Sequence, residues 1–177
     1  MVESESASKP QIFPFKDDGN APNNPALPFL YYPASVNLFG AADPAAVFER
    51  LFAGHGWRGS WRNGIFDFLH FHTMTHEVLG IAAGEARVQF GGDKGPIVSV
   101  KAGDVAILPA GTGHQRISAS RDLLVVGAYP AGGKYDLRRA GEMAHEEAFR
   151  AIARVKIPDE DPVYGSDGPL TRLWRKG

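Results

Sequence analysis

Apolar and polar residues alternate over residues 65–72, setting Phe66, Phe68, His70 and His72 on one side and Ile65, Asp67, Leu69 and Phe71 on the other. The same alternation places Ala86, Val88 and Phe90 opposite Glu85, Arg87 and Gln89. Side chains two apart on a strand share a face, so both stretches predict strands with one buried side. Further strands are expected at 97–101, 105–108, 115–118 and 123–129, with 29–32 and 36–39 ahead of them. Gly84, the glycine-rich loop 91–96, Gly103-Asp104 and Ser120-Arg121-Asp122 supply the turns between them. Two stretches change to helical spacing. Asp43-Pro44 reads as an N-cap and first helical residue, Val47/Leu51 and Phe48/Phe52 repeat at i,i+4, and Gly54 closes the helix. Ala144, Ala148, Ile152 and Val155 mark one face of a second helix over 141–155. Short strands at this spacing predict an all-β sandwich or barrel, with one short helix before it and one after.

Residues 1–28 are polar and interrupted by Pro10, Pro14, Pro22, Pro25 and Pro28. That is the pattern of an extended N-terminal arm, disordered over about its first ten residues. Residues 29–177 are then expected to form one domain, with a barrel core at about 61–130 and a C-terminal helix and tail at 131–177, in keeping with a length prior of about 100–200 residues per domain. The 21 glycines and 13 prolines argue for many turns and against a helical bundle. A net charge of −1 offers no field for nucleic acid or an anionic membrane. No apolar run is long enough to span a bilayer, and residues 1–10 lack the apolar stretch of a secretory signal. The absence of cysteine removes disulfides, thiolate zinc sites and a cysteine nucleophile. A cytoplasmic location is the expectation. The basic stretch 172–176 is expected to cover Trp174 rather than bind nucleic acid.

Four of the six histidines fall between positions 70 and 114, and His70, His72 and His76 are followed at once by Glu77. His70 and His72, two apart on a predicted strand, point the same way. Imidazole nitrogens bind an ion at about 2.0–2.2 Å, and a carboxylate from a neighbouring strand adds a hard oxygen donor. Such a set suits divalent Fe, Mn, Ni, Co or Zn. A zinc-protease helix is not its source, because His76-Glu77-Val78-Leu79-Gly80 lacks a second histidine and reads as strand.

Gly64, five residues, His70-x-His72, four residues, Glu77, six residues and Gly84 resemble the first motif of the cupins. Gly103, five residues, Pro109-x-Gly111, two residues and His114 resemble the second, whose usual closing Asn is Ser118 here. Pro22-Asn23-Asn24, Ser60-Trp61-Arg62-Asn63-Gly64, His76-Glu77-Val78-Leu79-Gly80 and Asp161-Pro162-Val163-Tyr164-Gly165 are similar to the YjlB-like group of bacterial cupins. The resemblance implies a double-stranded β-helix, or jelly-roll barrel, with a divalent metal ion in its mouth held by His70, His72, Glu77 and His114. Gly84 and Gly103 are expected at φ > 0, and Pro109-Ala110-Gly111 at the turn that aims His114.

Several roles stay open at this level. His76 adjoins Glu77, and on a regular strand only one of the two faces inward. A bulge would let both reach the ion or exchange them; otherwise His76 points outward or donates from behind the ligands. Arg116 and Ser118 follow His114 at i+2 and i+4. Inward, Arg116 is a carboxylate or phosphate clamp; carried round by strand twist, it is a rim residue in solvent. Phe66, Phe68 and Tyr129 are candidates for substrate contact or for core. Three function classes follow. One is a metalloenzyme acting on a small molecule through a three-His/one-Glu site, with oxygenase chemistry favoured because no further carboxylate stands out as a general base. The alternative is a non-catalytic module that binds a small ligand or metal. The third is a metal-free sugar-nucleotide epimerase, which needs a His–Asp base and basic residues for a pyrophosphate. Fold alone does not choose among these. Cupins often pair as homodimers, and the arm is suited to packing on a partner or on its own barrel, so a homodimer is expected.

Overall fold

The computed structural model describes residues 9–175. The expectation of disorder at the start of the arm therefore falls largely on residues 1–8, which lie outside the described residues, as does Lys176 of the basic stretch. Eleven strands form two antiparallel sheets. The larger takes β1 (Gln11–Phe13), β2 (Phe29–Tyr32), β8 (Val105–Leu108), β5 (Glu77–Ala83), β10 (Leu124–Pro130) and β3 (Trp57–Asn63), side by side in that order. The smaller takes β11 (Arg138–Arg139), β4 (His70–Phe71), β9 (His114–Ala119), β6 (Glu85–Phe90) and β7 (Ile97–Lys101). The architecture is the all-β jelly roll expected, with α1 (Pro44–Gly54) between β2 and β3, and α2 (His145–Ala153) and a short α3 (Pro169–Leu173) after the last strand.

The central strands of the larger sheet, β2, β8, β5 and β10, are buried on both faces, and their period-two pattern sorts two cores. Along β5, Val78 and Ala82 face outward onto α1, joining Phe48, Phe52, Trp57 and Trp174. Leu79 and Ile81 face inward, joining Val88, Phe90 and Val100 of the smaller sheet. The same split places Val105 and Ile107 outward, with Ala106 and Leu108 inward. Gly80 is required on the outward face, because a Cβ there would stand 2.4 Å from the Phe48 ring. α1 begins as the pattern predicts, with the Asp43 carboxylate accepting from the Ala46 N–H and Pro44 in the first turn.

Four differences from the pattern have physical causes. The alternation over 65–72 does not produce a strand of that length; only His70–Phe71 pairs. Phe66 and Phe68 stack on each other at 4.9 Å, and the Phe68 carbonyl is taken by the His70 ring rather than by a ladder. Residues 36–39 are not a strand but follow a turn in which Ala34 has φ 49, and the Val36 N–H donates to the Gly103 carbonyl. The helix over 141–155 starts later, at His145, since Gly141 takes φ 83. The arm, finally, is used within its own chain. β1 pairs with β2, and the buried Asn23 side chain donates to the Lys16 and Gly91 carbonyls and accepts from the Gly113 N–H. Of the two packings expected for the arm, this is the one on its own barrel. Among the described residues no helix is long and apolar enough to cross a membrane.

Candidate metal centre

His70 on β4 and His114, the first residue of β9, sit directly opposite each other in the smaller sheet, with ring centroids 4.0 Å apart. His72 lies one residue past β4, its ring 5.5 Å from His70 and 5.6 Å from His114. Glu77 enters from the facing sheet as the first residue of β5, on the same inward side as Leu79 and Ile81. Its Oε1 lies 3.6 Å from His72 Nε2 and 3.5 Å from His114 Nε2. A nitrogen from each of the three buried histidines lies within 4.8 Å of the others.

The far side of each ring fixes what the near side presents. His70 Nδ1 meets the Phe68 carbonyl at 3.0 Å, His114 Nδ1 meets the Thr112 carbonyl at 3.0 Å, and His72 Nδ1 meets the Asp136 carbonyl. A carbonyl only accepts, so each Nδ1 carries the proton and each Nε2 is left as a lone pair. The turn that aims His114 is braced from both sides: Asn24 donates to the Ala110 carbonyl, and Gly111 at φ 95 fits where a Cβ would meet Ile152 at 2.5 Å.

Electrostatics gives the cluster its character. Burial, reinforced by the other two rings, pushes His70 down to about 3. Burial also pulls on His72, but the Glu77 carboxylate outweighs it and leaves His72 raised. Burial would raise Glu77; the two imidazoles beside it hold it below the ordinary carboxylate range instead. Their separations are too long for hydrogen bonds. They slightly exceed the spacing of donors that share one ion, since two atoms each about 2.1 Å from an ion stand roughly 3.0–3.4 Å apart at 90–110°. A buried carboxylate facing inward lone pairs, with no lysine or arginine beside it, is an arrangement completed by a cation. These residues thus fit a divalent ion.

The cluster opens into a cavity of about 320 Å³ walled by Trp61, Ile65, Phe66, Leu79, Arg116, Tyr129 and Tyr135. Tyr129 accepts from Trp61 Nε1 at 2.7 Å, and burial together with nearby Glu77 raises its phenol well above the ordinary tyrosine value. Of the substrate-contact candidates, Arg116, Phe66 and Tyr129 reach the cavity, while Phe68 stacks behind Phe66 under the Arg139 guanidinium. Ser118 does not share the His114 face. The pairing of β6 with β9 shifts so that Val88 faces Arg116 while Arg87 faces Ser118, and this bulge at Ile117 turns Ser118 out to solvent. Sequence reasoning missed Tyr135 and Asp136, which arrive from the segment after β10. A larger hollow, about 850 Å³ around His55, Arg58 and Lys156, holds no group of potential metal ligands among the described residues.

His76 is not brought to the cluster. It falls on the outward parity of β5, with its ring 4.9 Å from Trp174 and its Nδ1 accepting from the Ala110 N–H. Its Nε2 is buried without a hydrogen-bond partner among the described residues. Burial pushes His76 down to about 4, against a smaller opposing pull from the Lys156 carbonyl. The folded state therefore takes up this proton less readily than the unfolded chain, and the stability it contributes above pH 6.5 is lost as pH falls toward 4. Between pH 7 and pH 5 this amounts to about 2 kcal/mol. Chemical unfolding of the metal-free protein at the two pH values checks it: His76→Gln is expected to flatten the dependence by that amount, and an unchanged slope would refute the assignment.

No family model matches the chain. The uncharacterized protein YjlB of Bacillus subtilis (strain 168) is 40% identical over 166 residues, spanning 94% of this chain and 97% of that protein. Among solved structures, acireductone dioxygenase from Bacillus anthracis, with a cadmium ion in its active centre, is 17% identical with a TM-score of 0.42 over 61% of this chain and 82% of that one. A DMSP lyase is 21% identical with a TM-score of 0.36, over 46% of this chain and 40% of the lyase.

Proposed function

This chain belongs to the YjlB family of cupins, and from that premise we propose that it is a metal-dependent enzyme acting on a small molecule, with oxygenase-type chemistry. His70, His72, His114 and Glu77 are the ligands in this reading. The observation that carries it is the convergence of three Nε2 lone pairs and one carboxylate, none hydrogen-bonded to another, at the inner end of an aromatic-walled cavity. Bound there, a divalent ion would supply Lewis acidity and, as Fe(II), the capacity to activate O₂.

The chain's own residues do the rest. Three backbone carbonyls hold the imidazoles in one tautomer, with the Nε2 lone pairs inward, and beside Glu77 a proton competes for that of His72 as pH falls. Tyr129 keeps its proton beside Glu77, positioned by the Trp61 N–H. Phe66, Leu79 and Tyr135 limit water in the cavity, which strengthens every charge interaction inside it. Among the described residues no second carboxylate lines the cavity, which favours chemistry at the ion over general-base catalysis, and the one lining cation, Arg116, is a poor match for a sugar-nucleotide pyrophosphate.

The test is to load the protein with Fe(II), Mn(II), Co(II), Ni(II) or Zn(II) and follow oxygen uptake and product formation over 1,3-diketones, 2-keto acids and enediols. Substrate-dependent uptake with the iron form is the expected result. Tight ligand binding without turnover under every metal would make the protein a binding module instead, and failure to take up any metal would overturn the reading.

A further inference from the structure

The cavity that serves the metal centre has a charge balance and a shape that narrow what it takes. We infer that its ligand is a small aromatic acid, with chelating oxygens at one end of the ring and a carboxylate at the other, and that Arg116 selects the carboxylate. This rests on the metal reading above.

Among the lining residues Glu77 is the one carboxylate and Arg116 the one permanent cation. A divalent ion and Arg116 together outweigh Glu77 by two charges. In a partly closed, aromatic-walled space that excess is costly unless the ligand carries it away. A ring with one ionised chelating oxygen and one carboxylate brings the matching two negative charges.

Arg116 is placed and left free for this. His114 and Arg116 are two apart on β9, ahead of the bulge at Ile117, so their side chains leave the strand on the same side about 7 Å apart at the backbone. That offset suits the length of a disubstituted ring. The guanidinium makes no hydrogen bond among the described residues, and its one carboxylate neighbour, the exposed Asp67, stands off at 3.9 Å. Arg62 is by contrast held by Asp43 and Glu49, and Arg138 by Asp136; among the described residues Arg116 is the arginine that lines the cavity. A free planar fork at a cavity mouth is suited to bidentate capture of a carboxylate. The Arg116 backbone N–H also donates to the Phe66 carbonyl at 2.9 Å, tying the clamp to one aromatic wall.

The walls set the flatness. Tyr129 and Tyr135 stack at 5.2 Å with 22° between their planes, and Trp61 and Phe66 complete the aromatic lining. The volume of about 320 Å³ equals roughly ten waters of liquid, enough for one substituted ring and too little for a nucleotide.

The experiment uses the zinc-loaded full chain, with metal content measured before any ligand is added. Calorimetric titration compares 3,4-dihydroxybenzoate with catechol, which lacks the carboxylate. The acid is expected to bind about tenfold or more tighter than catechol in the parent protein. Arg116→Met is expected to remove that preference while leaving metal content and catechol affinity within about twofold; Arg116→Lys, which keeps the charge without the fork, is expected to retain part of it. Equal affinities for the two ligands in the parent, equal losses of both in Arg116→Met, or no binding of either by fully metallated protein would overturn the inference and leave the metal centre standing. A parent protein that takes up no metal would overturn the metal reading and this inference with it.

Discussion

His72→Ala is expected to abolish most divalent-metal binding and, with it, the thermal stabilisation that metal confers. His72 is one of two imidazoles that face the carboxylate of the opposite sheet: its Nε2 stands 3.6 Å from Glu77 Oε1, as His114 Nε2 does at 3.5 Å, while its Nδ1 is held by the Asp136 carbonyl. Loss of groups that only orient ligands costs about 10–100-fold in metal affinity, so loss of a ligand is expected to cost at least about 100-fold. At a free metal concentration 100 times the parent dissociation constant, binding stabilises the fold by about 2.7 kcal/mol; a 100-fold weaker site retains about 0.4 kcal/mol. For a chain of this size the difference is roughly 5–10 °C in melting temperature. The gap should close in a chelator, because the metal-free site loses only one imidazole beside Glu77. Elemental analysis and melting curves with and without metal check this. Glu77→Gln should behave as His72→Ala does, whereas His76→Gln should keep its metal, since β5 turns the two neighbours to opposite faces. Equal occupancy and equal melting in His72→Ala and parent would remove the centre.

The parts of the fold that were legible are those where one local signal dominates. β2, β6, β7 and β8 occupy the ranges expected, because each is a short apolar or alternating run closed by glycine or a polar turn. β3, by contrast, reads Trp-Arg-Gly-Ser-Trp-Arg-Asn, and as the edge of the larger sheet it has little apolar pattern to show. β5 is buried on both faces, so its run of apolar residues has no alternation even though the parity of its side chains decides which of His76 and Glu77 enters the site. The stacked pair Phe66 and Phe68 imitated a strand at the cavity rim.

The site divides along the same line. His70, His72, Glu77 and His114 lie in two compact stretches with fixed spacing, and the geometry brings the three imidazoles within 4.8 Å of one another and Glu77 to within 3.6 Å of two of them. What completes them comes from far along the chain. Asp136 is 64 residues from the His72 ring it holds, Trp61 is 68 residues from the Tyr129 hydroxyl it positions, and Asn23 is 90 residues from the Gly113 N–H it caps. No local pattern marks such partners. The Ile117 bulge was equally hidden, and it alone separates the fates of Arg116 and Ser118.

Asp161→Ala is expected to be the most damaging single change outside the metal ligands, at about 3–5 kcal/mol. The Asp161 side chain is fully buried. Its Oδ1 accepts from the Val163 and Tyr164 N–H groups at 2.8 and 3.1 Å, and its Oδ2 from the Leu170 N–H at 3.1 Å and from the Tyr32 hydroxyl. One carboxylate thereby folds the tail upon itself, starts α3 and fastens it to β2. Alanine leaves four donors without acceptors, each costing about 1–3 kcal/mol where water does not refill the space. Asp161→Asn keeps an oxygen for Val163 and Tyr164 but sets its amide against the Leu170 N–H, so about half the loss is expected. The consequence reaches the site through Trp174, which donates to the Pro28 carbonyl and packs on His76, whose Nδ1 in turn receives the Ala110 N–H at the turn aiming His114. Released, the tail should become open to proteolysis after residue 160, and the tryptophan emission should shift to the red. Metal affinity should weaken less than in His72→Ala, because the three carbonyls that hold the imidazoles remain. Denaturant unfolding and limited digestion of the two variants measure this. A loss below about 1 kcal/mol, with the tail still protected, would show that the apolar contacts of Leu170 and Trp174 hold it without the carboxylate.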